Sequence, residues 1–271
     1  MRAALQSRLP VTSHAMKQTT NPMVALASAR TAAPISVWIA ALVTALPALA
    51  APAASAPEPL RVPDTIAQRM LACTACHGKE GRATNDGYFP RIAGKPAGYL
   101  YNQLVAFREG RRRNAQMTAL VVHLGDDYLR EIAGYFAALD LPYPAPQTRG
   151  ADGALLQRGE ALVRRGDAAR ELPACASCHG AALTGVLPAT PGLLGLPRDY
   201  LNAQLGAWRN AARHALAPDC MASVARRLAP DDVSAVSTWL SAEPLPANAK
   251  PVAALPAPPA LPCGSVPGAL R

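Results

Sequence analysis

The chain has 271 residues and a mass of 28.2 kDa, room for one large domain or two small ones. Half of its residues are hydrophobic and only 17% are charged, which excludes a disordered polyelectrolyte; aromatics are just 5%, too few to fill one large core with rings. The formal charge of +9 does not mark a nucleic-acid binder, because Arg2, Arg8, Lys17 and Arg30 fall in an acid-free N-terminal stretch that reads as a removable leader.

That leader comes first in the chain. Residues 34–50 carry no charge, Arg30 precedes them, and Ala48-Leu49-Ala50 offers a small-x-small cleavage site. This is the order of a secretory signal over residues 1–50, and its loss lowers the charge by four. The apolar run is interrupted by Pro47 and is short for a membrane span. An uncleaved anchor is the alternative. Either way the remaining chain is expected outside the cytoplasm, where disulfides persist.

Next comes a predicted helix over 64–75, with Ile66 and Met70 four residues apart. It runs into Cys73-Thr74-Ala75-Cys76-His77. The same pattern recurs as Cys175-Ala176-Ser177-Cys178-His179 behind a predicted helix over 154–165. Cys-x-x-Cys-His reads as c-type haem attachment. Two thiols one helical turn apart add to the two vinyl groups of a porphyrin, and the following imidazole turns to the iron. A zinc site would need a second Cys pair beside each motif, and a redox dithiol a βαβ setting; the sequence supplies neither.

The two motifs sit in an internal repeat of about one hundred residues, too long for a solenoid unit. The stretch from Pro90 to Leu100 matches that from Pro191 to Leu201, Gln103-Leu104 matches Gln204-Leu205, and Phe107-Arg108 matches Trp208-Arg209. Helices are predicted to begin at Pro96 and Pro197, with Leu100, Leu104 and Phe107 on one face and Leu201, Leu205 and Trp208 on the other copy. The last helix of the first repeat opens at Asp126 and is expected to bury Leu129, Ile132, Ala133 and Phe136; Val233, Val236 and Leu240 do this in the second. No stretch alternates with a two-residue period, so strands are not expected. The boundaries are a first domain over 57–144, a linker over 145–152 whose Pro-rich start reaches back to 141, a second domain over 153–243, and a Pro/Ala-rich tail over 244–271.

Met117 and Met221 follow the motifs at similar distances and are the candidates for the opposite face of each iron, where a thioether closes the sixth position and raises the potential. Met70 lies on the proximal side and is assigned to the core. His123 and His214 are rival ligands, read as packed or solvated. Cys220 and Cys263 are left over, an even number in an oxidising compartment, and are expected to form a disulfide; free thiols or an intermolecular bridge are the alternatives. Arg111-Arg112-Arg113 is the only dense basic run. A solvated helix end is the preferred reading, a patch that steers an acidic redox partner the sharper one.

With CTACHGKEGR, FPRIAGKPAGYLYNQLVAFREGRR and LLQRGEALVRRGDAARELPACASCHG in view, residues 60–243 resemble a dihaem class I cytochrome c of the cytochrome c4 type. The resemblance implies an all-α fold of two tandem cytochrome domains, each wrapped around one covalent haem c. It implies His77 and Met117 on the first iron and His179 and Met221 on the second. It further implies that Pro90 and Pro191 offer carbonyls to the histidine rings. The implied function is periplasmic single-electron transfer between redox partner proteins, such as a respiratory donor and a terminal oxidase; the alternative is a haem c subunit of a periplasmic dehydrogenase. No catalytic cluster and no nucleic-acid partner is expected, and a membrane is met only through a partner or an uncleaved leader. The sequence departs from the family's pattern in the uncharged Leu183–Leu196 loop, in Cys220 beside Met221, and in the tail.

Overall fold

The computed structural model describes residues 61–266 except Asn85, Asp86, Arg149 and Ala151; the proposed leader lies outside them. Ten α-helices make up almost all the regular structure of the described residues, in two successive sets of five.

The first set is α1 (Ile66–Arg69), α2 (Leu71–His77), α3 (Ala97–Arg108), α4 (Ala115–Val121) and α5 (Asp126–Ala138). Thr65 caps α1 by accepting from the Gln68 amide at 3.2 Å. The helix expected over 64–75 is broken at Met70, whose buried side chain turns into the core while the chain restarts as α2. Helix α3 packs on α5, and α5 buries Leu129, Ile132, Ala133 and Phe136. With Met70, Leu100 and Phe107 they form the first core.

The second set is α6 (Gly153–Arg165), α7 (Cys175–His179), α8 (Arg198–Arg209), α9 (Cys220–Arg227) and α10 (Pro230–Ala242). Asp152 caps α6 through the Leu155 amide at 2.7 Å. Helices α6 and α10 cross closely at Gly159, where any Cβ would collide with the Ala235 carbonyl and the Trp239 side chain. Leu162, Val163, Leu201, Val236, Trp239 and Leu240 lie in the second core.

One expectation is corrected. A two-stranded antiparallel pair, β1 (Gly185–Val186) and β2 (Thr190–Pro191), follows α7, with Gly185 opposite Pro191 and Val186 opposite Thr190. Two residues per strand are too few to carry an alternation. Val252 of the tail lies alongside, giving its carbonyl to the Leu187 amide at 2.9 Å and its amide to the Gly185 carbonyl at 3.0 Å.

The linker and the tail are both tied down. The Gln147 amide donates to the Ser241 carbonyl at 2.7 Å, and the Arg91 guanidinium donates to the Leu141 and Pro142 carbonyls. A disulfide joins Cys220 to Cys263, with Cα atoms 5.1 Å apart. Gly264 donates to the Pro218 carbonyl, and Ser265 bonds both Leu216 and Asn102, so the tail end touches both halves. Among the described residues, no helix is long and apolar enough to cross a membrane.

Candidate functional site

Each Cys-x-x-Cys-His segment is a short helix with one ending. Helix α2 stops at Gly78 (φ 75°) and α7 at Gly180 (φ 83°), a left-handed turn that glycine adopts without strain. The turn folds the next loop back over the histidine. His77 Nδ1 then meets the Pro90 carbonyl at 2.9 Å, and His179 Nδ1 meets the Pro191 carbonyl at 2.8 Å. A carbonyl only accepts, so Nδ1 carries the proton and Nε2 keeps its lone pair. Both rings are buried, 8% and 7% exposed. Burial is the main cause that pushes their pKa values below the ordinary histidine range, the carbonyl bonds opposing it. Each imidazole is therefore neutral and oriented, the form that binds a metal.

The four motif cysteines are unpaired thiols, as attachment to a porphyrin requires. Burial pushes the Cys73 thiol up and the Cys175 thiol up to about 12. Reactive redox dithiols have depressed values, the opposite direction to that of Cys73 and Cys175.

Both histidines open into one continuous cavity of about 1410 Å³, larger than the roughly 300–1,000 Å³ of a pocket for one ordinary ligand. Cys73, Cys76, His77 and Met117 line one part, and Cys175, Cys178, His179 and Met221 the other. Asn114 starts α4 by accepting from the Met117 amide at 3.0 Å, and Asp219 starts α9 by accepting from the Ala222 amide at 2.9 Å. Each methionine thus sits in the first turn of a short capped helix at the cavity wall. Met70 also borders the cavity but is packed in the core. His123 is exposed and is not part of the lining; His214 is an exposed residue at the rim that contacts the Ala211 carbonyl at 3.0 Å.

The cavity suits two haem c groups. It holds two complete sets of paired thiols and an imidazole, its walls are mostly apolar, and Trp208 Nε1 points into buried space with no protein acceptor. A buried indole N–H needs an acceptor, which a haem propionate would offer.

Between the two halves lies a cluster that the sequence reading missed. Arg112 donates to Gln103 at 3.0 Å, to Gln204 at 2.7 Å and to the Tyr200 hydroxyl at 3.1 Å. Arg213 repeats this with Gln204 at 2.8 Å, Gln103 at 2.7 Å and the Tyr99 hydroxyl at 3.4 Å. The two arginines also pair through backbone, Arg113 donating to Ala212 and His214 to Arg111. The preferred reading of residues 111–113 as a solvated helix end therefore fails for Arg112, which turns inward to meet the second half. The signal was present in duplicated Tyr and Gln four apart on apolar helices, each with an Arg nine residues beyond the Gln.

No family model matches the chain. It is 37% identical over 175 residues to a thiosulfate dehydrogenase electron acceptor of Thiomonas intermedia, covering 64% of this chain and 79% of that one. It is 35% identical over 146 residues to cytochrome c4 of Pseudomonas aeruginosa, covering 54% and 70%. Among solved structures, reduced recombinant cytochrome c4 from Pseudomonas stutzeri superposes with a TM-score of 0.56 at 30% identity, covering 64% of this chain and 94% of that one. An as-isolated thiosulfate dehydrogenase from Marichromatium purpuratum gives 0.58 at 33% identity; this chain spans only 36% of its length.

Proposed function

The chain belongs to the cytochrome c4 family, a dihaem electron-transfer cytochrome of two tandem class I domains, and we propose that it is a periplasmic carrier between a respiratory donor and an acceptor such as a terminal oxidase. One observation carries the assignment of its site: two Cys-x-x-Cys-His helices, each with Nδ1 held by a proline carbonyl, open into one cavity that also takes in Met117 and Met221.

In this reading Cys73 and Cys76 hold one haem c and Cys175 and Cys178 the other. His77 and His179 present Nε2 as proximal ligands, oriented by Pro90 and Pro191. Met117 and Met221 present thioethers from the opposite wall. Bound haem supplies an iron that gains and loses one electron. The Met117 and Met221 thioethers would complete the coordination of such an iron and so leave no place for a substrate. The chain itself then turns over no small molecule. The domains are 57–144 and 153–243, joined by 145–152, and residues 1–50 direct export.

A second reading is supported by the Thiomonas and Stutzerimonas relatives named as thiosulfate dehydrogenase electron acceptors, 37% and 36% identical. In it, the donor is a periplasmic dehydrogenase to which the chain binds. Intact mass after acid–acetone extraction decides the cofactor assignment: two retained haem masses are expected, and one or none overturns it. Affinity capture from periplasm separates the two readings, since a free carrier elutes alone and a subunit brings a larger dehydrogenase with it.

A further inference from the structure

Lys95 belongs to the first half but ends in the second. Its Nζ donates to the Gly192 carbonyl at 3.1 Å, and the side chain is only 4% exposed. Among the described residues no carboxylate lies within ion-pair distance of it. Its other neighbours are the Tyr143 ring, 5.8 Å from Nζ, and Arg91, whose guanidinium stacks on that same ring at 3.9 Å and bonds three carbonyls. Burial, with Arg91 adding to it, brings the ammonium pKa down to about 7. A buried, unpaired ammonium is costly.

The fold does not need a cation at this position. In the internal repeat Lys95 corresponds to Leu196, which is buried and apolar in the second core. What distinguishes the location of Lys95 is its neighbour. Gly192 follows Pro191, the residue whose carbonyl accepts the hydrogen bond from His179 Nδ1. The positive charge therefore stands one residue from the hinge that orients the second proximal histidine, and it borders the same cavity.

We propose that Lys95 is a positioning residue of the second haem site that acts across the domain boundary, its charge making that site hold an electron more tightly than an apolar residue there would. The inference rests on the reading of His179 as a proximal ligand. A nearby positive charge favours the less positive, reduced iron.

The experiment is spectroelectrochemical titration of the full dihaem protein below neutral pH, where the Lys95 ammonium is protonated, with each haem followed by its methyl proton resonances and the second identified by contacts to Trp208. Lys95→Gln keeps a donor for the Gly192 carbonyl and loses the charge; Lys95→Leu installs the residue of the repeat. In both, the equilibrium constant for reducing the second haem should fall about three- to tenfold, on the order of 28–59 mV for one electron, and the first haem should stay within a fraction of that. Unchanged midpoints in Lys95→Gln would reduce Lys95 to a clamp, and equal shifts of both haems would mean a global rearrangement; either overturns the proposal. Should Lys95→Leu not assemble, Lys95→Gln decides. Haem counting on the same samples keeps the outcomes apart, because a wild-type chain with fewer than two covalent haems refutes the site assignment, not the role of Lys95.

Discussion

Breaking the Cys220–Cys263 bond should loosen the tail and lower stability by a calculable amount. The cysteines are 43 positions apart, and on the chain-entropy model closing a loop of that size is worth about 4 kcal/mol. The other ties beyond Val252 are three hydrogen bonds, made by Gly264 and by Ser265 with Leu216 and Asn102. At about 0.5–1.5 kcal/mol each they are individually weak beside the covalent tie. Without the bond this stretch, part of the cavity wall, should peel away while Val252 stays in its bridge. Cys263→Ser is expected to lower the melting temperature by about 8–16 °C, taking 2–4 °C per kcal/mol for a unit of this size. Cys220→Ser should do the same, and the double variant no more than either, since all three lose one bond. Calorimetry of the three holoproteins, with tryptic cleavage of the tail as a second readout, tests this. A loss below about 1 kcal/mol, or additive losses in the double variant, would refute the reasoning.

Asp232 is 0% exposed and receives Arg158, Arg170 and the Ala229 amide. Burial pushes its carboxyl up, but the bonds from Arg170, Ala229 and Arg158 outweigh it and hold the group below the usual carboxylate range. Its contribution is therefore present above the unfolded value of about 4 and lost as pH falls through the lower folded value; Asp232→Asn should cost about 1.5–3 kcal/mol at neutral pH and flatten the acid limb of a stability–pH curve. Gly159→Val should separate α6 from α10 and destabilise the second half by at least about 1–3 kcal/mol, read as earlier loss of its haem's absorbance on heating. Met117→Ala and Met221→Ala should each remove about half of the weak near-infrared sulfur-to-iron band of the oxidised protein, and an unchanged band in either would withdraw that methionine as a ligand.

The features legible in the sequence are those that covalent chemistry or duplication repeats. Thiol spacing and the adjacent histidine follow from porphyrin geometry, so Cys73, Cys76 and His77 could be read locally, and a second copy removed the ambiguity of one motif. The long amphipathic helices were equally plain, because Leu129, Ile132, Ala133 and Phe136 fall on one face of α5. The illegible features are those set by distant partners. The two-residue strands are too short to carry a pattern, and Val252 runs beside Val186, a pairing no local pattern encodes. The break at Met70 comes from a side chain pulled into the core. In the run Arg111-Arg112-Arg113 three identical charges have three fates: Arg111 pairs with Glu109 at 2.7 Å, Arg113 is exposed, and Arg112 enters the boundary between the halves.

The comparison of the two repeats separates what joins the halves from what makes them unlike. Tyr99, Gln103 and Arg112 are matched one for one by Tyr200, Gln204 and Arg213, and each arginine bonds the glutamines of both halves. This reciprocal contact joins the halves; the unmatched residues are what make their walls differ. Arg91 and Lys95 are buried cations where the repeat has Gly192 and Leu196, and the disulfide fixes the tail only to the start of α9, beside Met221. Duplication alone would produce two equivalent haem sites; on the proposed ligand assignment these differences fall on both walls of the second, a charge toward His179 and a covalent restraint toward Met221.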